Sequence, residues 1–179
     1  WELNNTNLPT GISFGNANGT LYGPATQLWT ITAYKVWANN SGGSVEVFFN
    51  LTVNDQLPGL SYSVENLTLT KGQASSSLPL NATLTGPGTI TSWAISSTLP
   101  SGLSFGTSNG TIWGTPTSMM TFKSYTIWAN NSGGSSSATV NITVNYPPDI
   151  SYSPDWFVLT NNTTMSSTAT PTNVGGATL

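Results

Sequence analysis

Apolar and polar side chains alternate along several stretches of the chain, with a period of two. Val45, Val47, Phe49, Leu51 and Val53 fall on one side of an extended run, and Glu46, Phe48, Asn50 and Thr52 on the other. Ala138, Val140, Ile142 and Val144 alternate in the same way with Thr139, Asn141 and Thr143. This period predicts a strand with one face on a core. A second alternating run precedes each, Tyr34, Val36 and Ala38 in one case and Tyr125, Ile127 and Ala129 in the other; the NNSGG that follows predicts a hairpin. Asn18-Gly19 and Asn109-Gly110 sit between short apolar runs, where Asn-Gly predicts a type I′ turn. No stretch shows a helical period with caps. Short strands with turn signals about every ten residues predict a two-sheet antiparallel β-sandwich.

The matching runs are copies of one another. Leu8 to Val53 recurs without a gap as Leu99 to Val144, at a fixed offset of 91 residues. LPTGISFGNANGTLYG, YKVWANNSGGS and NLTVN in the first copy become LPSGLSFGTSNGTIWG, YTIWANNSGGS and NITVN in the second. Beyond Val53, QLPGLSYSVENLTLTKG recurs as PPDISYSPDWFVLTNN, with Ser61, Tyr62 and Ser63 matching Ser151, Tyr152 and Ser153. GPGTI (Gly86 to Ile90) is echoed by GGATL (Gly175 to Leu179), and Trp1 matches Trp93. Self-similarity at a fixed period is the mark of an array.

LPSGLSFGTSNGTIWGTP followed by YTIWANNSGGSSSATVNITV resembles the putative-immunoglobulin repeat of large bacterial and archaeal surface proteins, a relative of cadherin-like sandwiches. The first copy departs at GPAT, where the second has GTPT. The resemblance implies an extracellular setting, tandem arrangement and no catalytic residues. The expected fold is thus all-β, with tandem immunoglobulin-like sandwich repeats of about 91 residues, a length able to bury a core. Residues 1–54 are expected to be the C-terminal part of a first repeat, 55–146 a complete repeat, and 147–179 the N-terminal part of a third. Neither part can satisfy its own backbone or cover its apolar face, so the third is expected to be completed by the next unit, with Trp1, Ile150, Tyr152, Trp156, Phe157 and Leu159 at the join.

Three lysines, no arginine and six acids leave no basic face for nucleic acid. No apolar run approaches the roughly 20 residues of a membrane helix. Seven Trp, six Tyr and six Phe supply core material for a folded protein. Solubility then rests on Asn, Ser and Thr, or on what they carry. Asn-X-Ser/Thr triplets stand at Asn4, Asn18, Asn39, Asn50, Asn66, Asn81, Asn109, Asn130, Asn141, Asn161 and Asn162. That is about twice the roughly 5 or 6 that composition alone would give. Four of them coincide with turns, whereas Asn50 and Asn141 lie in strands on the outward side and are the first choice for N-linked glycans. Tyr22, Trp37, Trp113 and Trp128 are expected to face outward, as contacts for a neighbour or platforms for sugar.

Asp55, Asp149 and Asp155 lie near the linkers, where cadherin-like arrays bind calcium, but so few carboxylates make a poor site for an ion that takes six to eight oxygens. No metal or other cofactor is expected. Without histidine or cysteine there is no nucleophile beside a base, and the spacing of Glu46, Glu65, Asp149 and Asp155 recommends no carboxylate pair. The chain reads as a non-enzyme. Two functions fit: a segment of an extracellular filament or surface array joined head to tail with identical copies, or an adhesin using outward aromatics on surface glycans. Copies that agree through turns and strands alike favour the first.

Overall fold

The computed structural model describes residues 1–153, 155–165, 168 and 170–173. Its regular structure is strand, in two units. The first unit is Trp1–Leu57 with the loops Gly86–Thr89 and Asn131–Gly134. It holds β1 (Glu2–Leu3), β2 (Ser13–Gly15), β3 (Thr20–Tyr22), β4 (Trp29–Asn40) and β5 (Gly43–Val53). One sheet has the order β1-β4-β5, and β2 pairs with β3. The second unit, Pro58–Thr85, Ile90–Asn130 and Ser135–Leu179, holds β6 (Gly59–Tyr62), β7 (Asn66–Thr70), β8 (Ala82–Thr85), β9 (Ser92–Ile95), β10 (Leu103–Phe105), β11 (Ile112–Gly114), β12 (Met120–Asn131), β13 (Gly134–Asn145), β14 (Ile150–Ser151) and β15 (Thr172–Asn173).

The second unit contains a closed sandwich. One sheet has the order β7-β13-β12-β9; β6 pairs with β8, β10 with β11, and Leu80 bridges to Ile112. Leu67 and Leu69 of β7 pack in a core with Trp93, Leu103, Ile112, Tyr125, Ile127, Val140, Ile142 and Val144. The sheet is not antiparallel throughout, because β7 runs parallel to β13, with Ile142 opposite Leu67 and Val144 opposite Leu69. Such a pair needs a crossover rather than a hairpin, and the paired Asn66 and Asn141 lie 75 positions apart.

The copies keep the same register. Ser13 pairs with Tyr22 as Ser104 does with Trp113, and Val36 pairs with Leu3 as Ile127 does with Ile95. The expected type I′ turn is absent: β2 and β3 close at Gly15 and Thr20, leaving a four-residue loop. Gly19 alone takes a positive φ, 72°, and its N–H donates to the Gly15 carbonyl at 2.7 Å. Asn18 works through its side chain instead, accepting the Thr20 N–H at 3.1 Å.

The apolar stripe of β5 differs from expectation. Val45 and Val47 are 68% and 58% exposed, and Phe49, Leu51 and Val53 only half-buried. In β13 the equivalents of these last three, Val140, Ile142 and Val144, are fully buried. The alternation is the same in both; among the described residues, the first unit has no strands matching β6, β7 and β8.

Candidate functional site

The two hairpins differ at one edge. Residues 141–145 of β13 carry β7 along their outer side. The equivalent residues 50–54 of the first unit have no strand beyond them among the described residues, since β5 ends its sheet. A row of backbone donors and acceptors is therefore left for another strand. The same unit holds a cavity of about 650 Å³ lined by Trp1, Leu3, Leu8, Ile12, Phe14 and Tyr22. In the second unit the matching Trp93, Leu99 and Leu103 lie in a core closed by Tyr62, Leu67, Leu69 and Leu80. The Tyr62 hydroxyl donates to the Gly110 carbonyl at 2.6 Å, and burial pushes this phenol up to about 12. In both units an indole lies flat on the turn glycine: a Cβ on Gly19 would fall 2.7 Å from Trp1, and one on Gly110 2.4 Å from Trp93. The first unit thus has the floor of the pocket but not its lid.

The missing pieces have counterparts at the other end of the chain. In β6 and β8, Leu60 pairs with Leu84 and Ser61 with Thr83. In β14 and β15, Ile150 pairs with Asn173 and Ser151 with Thr172. Asn173 matches Leu84 at the offset set by GPGTI and GGATL, although GGATL itself lies outside the described residues. The ladder is the same one. Beyond it the copies diverge: Leu67 and Leu69 of β7 are 2% exposed, whereas their counterparts Phe157 and Leu159 are 43% and 64% exposed, outside any strand, with Trp156 and Val158 more exposed still. Ile150 and Tyr152 are exposed as well, and Tyr152 meets Phe157 edge-on at 6.5 Å. The segment was expected to be completed by the next unit, and its exposure here leaves it available for that. Trp1 is half exposed, and its backbone nitrogen donates to the Asn16 carbonyl at 3.2 Å. Val158 and, in the cavity lining, Leu3, Leu8, Ile12 and Phe14 were missed as site residues, yet laying WFVLT over NLTLT reveals Val158 as apolar where the pattern calls for polar.

Residues 58–145, a little under half of the chain, match the family model described as Putative Ig domain. This segment is similar to that family. The chain is also similar to the extracellular cadherin domains 1–4 of protocadherin gamma B7, at 15% identity and a TM-score of 0.39 over 79% of this chain and 41% of that one. The figures for human CDH23 EC21–23 are 12%, 0.40, 91% and 61%, and for a chimeric titin Z1Z2 tandem 18%, 0.33, 64% and 65%. The chain spans less than two thirds of each. None of the curated proteins matches it. No helix among the described residues is long and apolar enough to cross a membrane.

Within the Putative Ig domain the Asn141 carboxamide is engaged on both sides. Its Oδ1 accepts the Ser124 hydroxyl at 2.7 Å, and its Nδ2 donates to Asn66 Oδ1 at 2.9 Å. Asn81 accepts from Thr111 Oγ1, Asn109 from the Thr111 N–H and Asn130 from Ser135 Oγ. In the first unit Asn4 accepts the Lys35 N–H and Asn39 the Ser44 hydroxyl. Asn50 is exposed and makes no side-chain hydrogen bond among the described residues; Asn161 and Asn162 are exposed.

Tyr22 and Trp113 are exposed, at equivalent positions, whereas Trp37 and Trp128 are half-buried. Trp37 Nε1 donates to Glu46 Oε2 at 3.1 Å, and Lys35 Nζ stands 3.0 Å from the same oxygen and 4.6 Å from the Phe48 ring centroid. Asp55 holds backbone rather than open coordination sites, accepting the Gln56 N–H at 2.8 Å and the Thr89 N–H at 2.7 Å. Asp149 and Asp155 are exposed, and no three acids converge among the described residues.

Proposed function

We propose that this chain is a segment of an extracellular, N-glycosylated filament or surface array, whose immunoglobulin-like repeats join head to tail by completing a split sandwich. The observation that carries the reading is the open edge of β5, where the copy of that edge on β13 is filled by β7, together with the cavity that Trp1, Leu8 and Phe14 line in the same unit. The segment 147–179 supplies the counterpart of the missing strands, and its residues 148–153 and 155–165 are exposed. Strand addition gives affinity through main-chain hydrogen bonds and specificity through alternate side chains. Because the two surfaces differ, the contact is heterologous and propagates. Sequons keep a chain of low charge in solution.

Sedimentation and electron microscopy of the purified chain, with and without residues 147–179, test the reading. The full chain is expected to form concentration-dependent linear oligomers, and the truncated chain to stay monomeric. Oligomers that persist without 147–179 would overturn it.

A further inference from the structure

Resting on that reading, we infer that residues 156–160 of a second copy add to β5 as a parallel strand in one register: Asn50 opposite Trp156, Leu51 opposite Phe157, Thr52 opposite Val158, Val53 opposite Leu159 and Asn54 opposite Thr160. Tyr152 of that copy enters the cavity beside Trp1.

The register follows from the ladder the chain already contains. Residues 50–54 match 141–145 at an offset of 91, and 156–160 match β7 at an offset of 90. Transposing the β7–β13 pairs therefore fixes each new pair. A slip of one residue would turn Phe157 and Leu159 away from the side on which Leu51 and Val53 are half-buried. In the chosen register they point where Leu67 and Leu69 point in the closed sandwich, toward the core.

The departures between copies fall at adjoining places. β5 has the exposed Phe48 where β13 has Thr139, and the tail has Trp156 where β7 has Asn66. On the outward face Trp156 then stands beside Asn50, diagonal to Phe48, so the two added aromatics meet. Asn66 answers Asn141 with a hydrogen bond; Trp156 answers a residue whose neighbour is a phenylalanine. The run WFVL is apolar on both faces, the composition of a strand covered on both sides. For the cavity, Tyr152 matches Tyr62 and Gly19 matches Gly110, so the Tyr152 hydroxyl is placed to donate to the Gly19 carbonyl.

Cysteine pairs test the register without background, because the chain has no cysteine. Full-length Thr52→Cys is mixed with isotope-labelled Val158→Cys, oxidised mildly, and the mixed disulfide counted by mass. Controls replace Val158→Cys with Trp156→Cys or Thr160→Cys, each slipped by two. Disulfide geometry is narrow enough that the 52–158 pair is expected to exceed either control by about tenfold. A slipped pair in excess would overturn the register and leave head-to-tail completion standing. No mixed disulfide from a chain that sediments as a monomer would overturn both. Tyr152→Phe keeps the ring and removes the donor, so it is expected to weaken association severalfold; unchanged association would overturn the cavity contact.

Discussion

The Tyr62 hydroxyl reaches the Gly110 carbonyl from inside the core, and its surroundings resist charge. With the folded phenol at about 12 and an unfolded one at about 10, the fold holds the neutral form more tightly. That contribution is intact below pH 10 and is lost as pH rises toward 12; burial shifts Tyr125 in the same direction. Denaturant melts of the second unit should therefore hold steady from neutral pH to about 9 and weaken between about 10 and 12. Tyr62→Phe is expected to cost about 1 kcal/mol at neutral pH and to show the shallower alkaline decline. Equal declines in both proteins would assign the pH dependence elsewhere. Asparagine differs from site to site in a comparable way. The Asn141 Nδ2 is committed to Asn66, whereas Asn50 is exposed with no such partner. Site-resolved mass spectrometry of native material should find glycan occupancy higher at Asn50 than at Asn141, and the reverse order would count against side-chain engagement as the control.

Strands with equal alternation end up unequally buried, and the energetics should follow burial rather than pattern. Ile142→Ala removes a fully buried side chain and is expected to cost about 2 to 5 kcal/mol in a denaturant melt. Leu51→Ala, its half-buried counterpart, should cost about 1 kcal/mol in the monomer, in proportion to the area it shields. Comparable losses at both sites in dilute monomer would mean that β5 is covered after all. The hairpins, the repeat and the core positions of β12 and β13 were legible in the sequence because period two and turn residues are local signals. The exposure of Val45 and Val47 was not, since alternation tells which residues share a face and nothing about whether another element covers it. The four-residue loop at Asn18 escaped notice because an Asn-Gly pair does not say where the ladder closes. The parallel pairing of β7 with β13, and with it the partner of Asn141, joins residues 75 positions apart, beyond the reach of any local pattern.

One unit with a closed core and one with an open edge should not unfold together. The second unit contains Leu67, Leu69 and the fully buried residues of β12 and β13, while the first leaves Val45, Val47 and Phe48 to water. Two-state behaviour is therefore not expected of the whole chain; calorimetry should resolve a lower transition for the first unit. Completion by another copy is a binding equilibrium linked to that lower transition alone. At a free concentration of joining segments about 100 times its dissociation constant, the first unit would gain about 2.7 kcal/mol, and its midpoint should rise with protein concentration. The upper transition should stay fixed over the same range, since its β7 edge is already filled from within. Limited proteolysis should report the same link from the other side: cleavage near residues 156–159 in dilute chain, where these side chains are exposed, and protection as concentration rises. If both transitions climb together, or neither moves while the segment stays cleavable at every concentration, then the open edge of β5 is not where the repeats join.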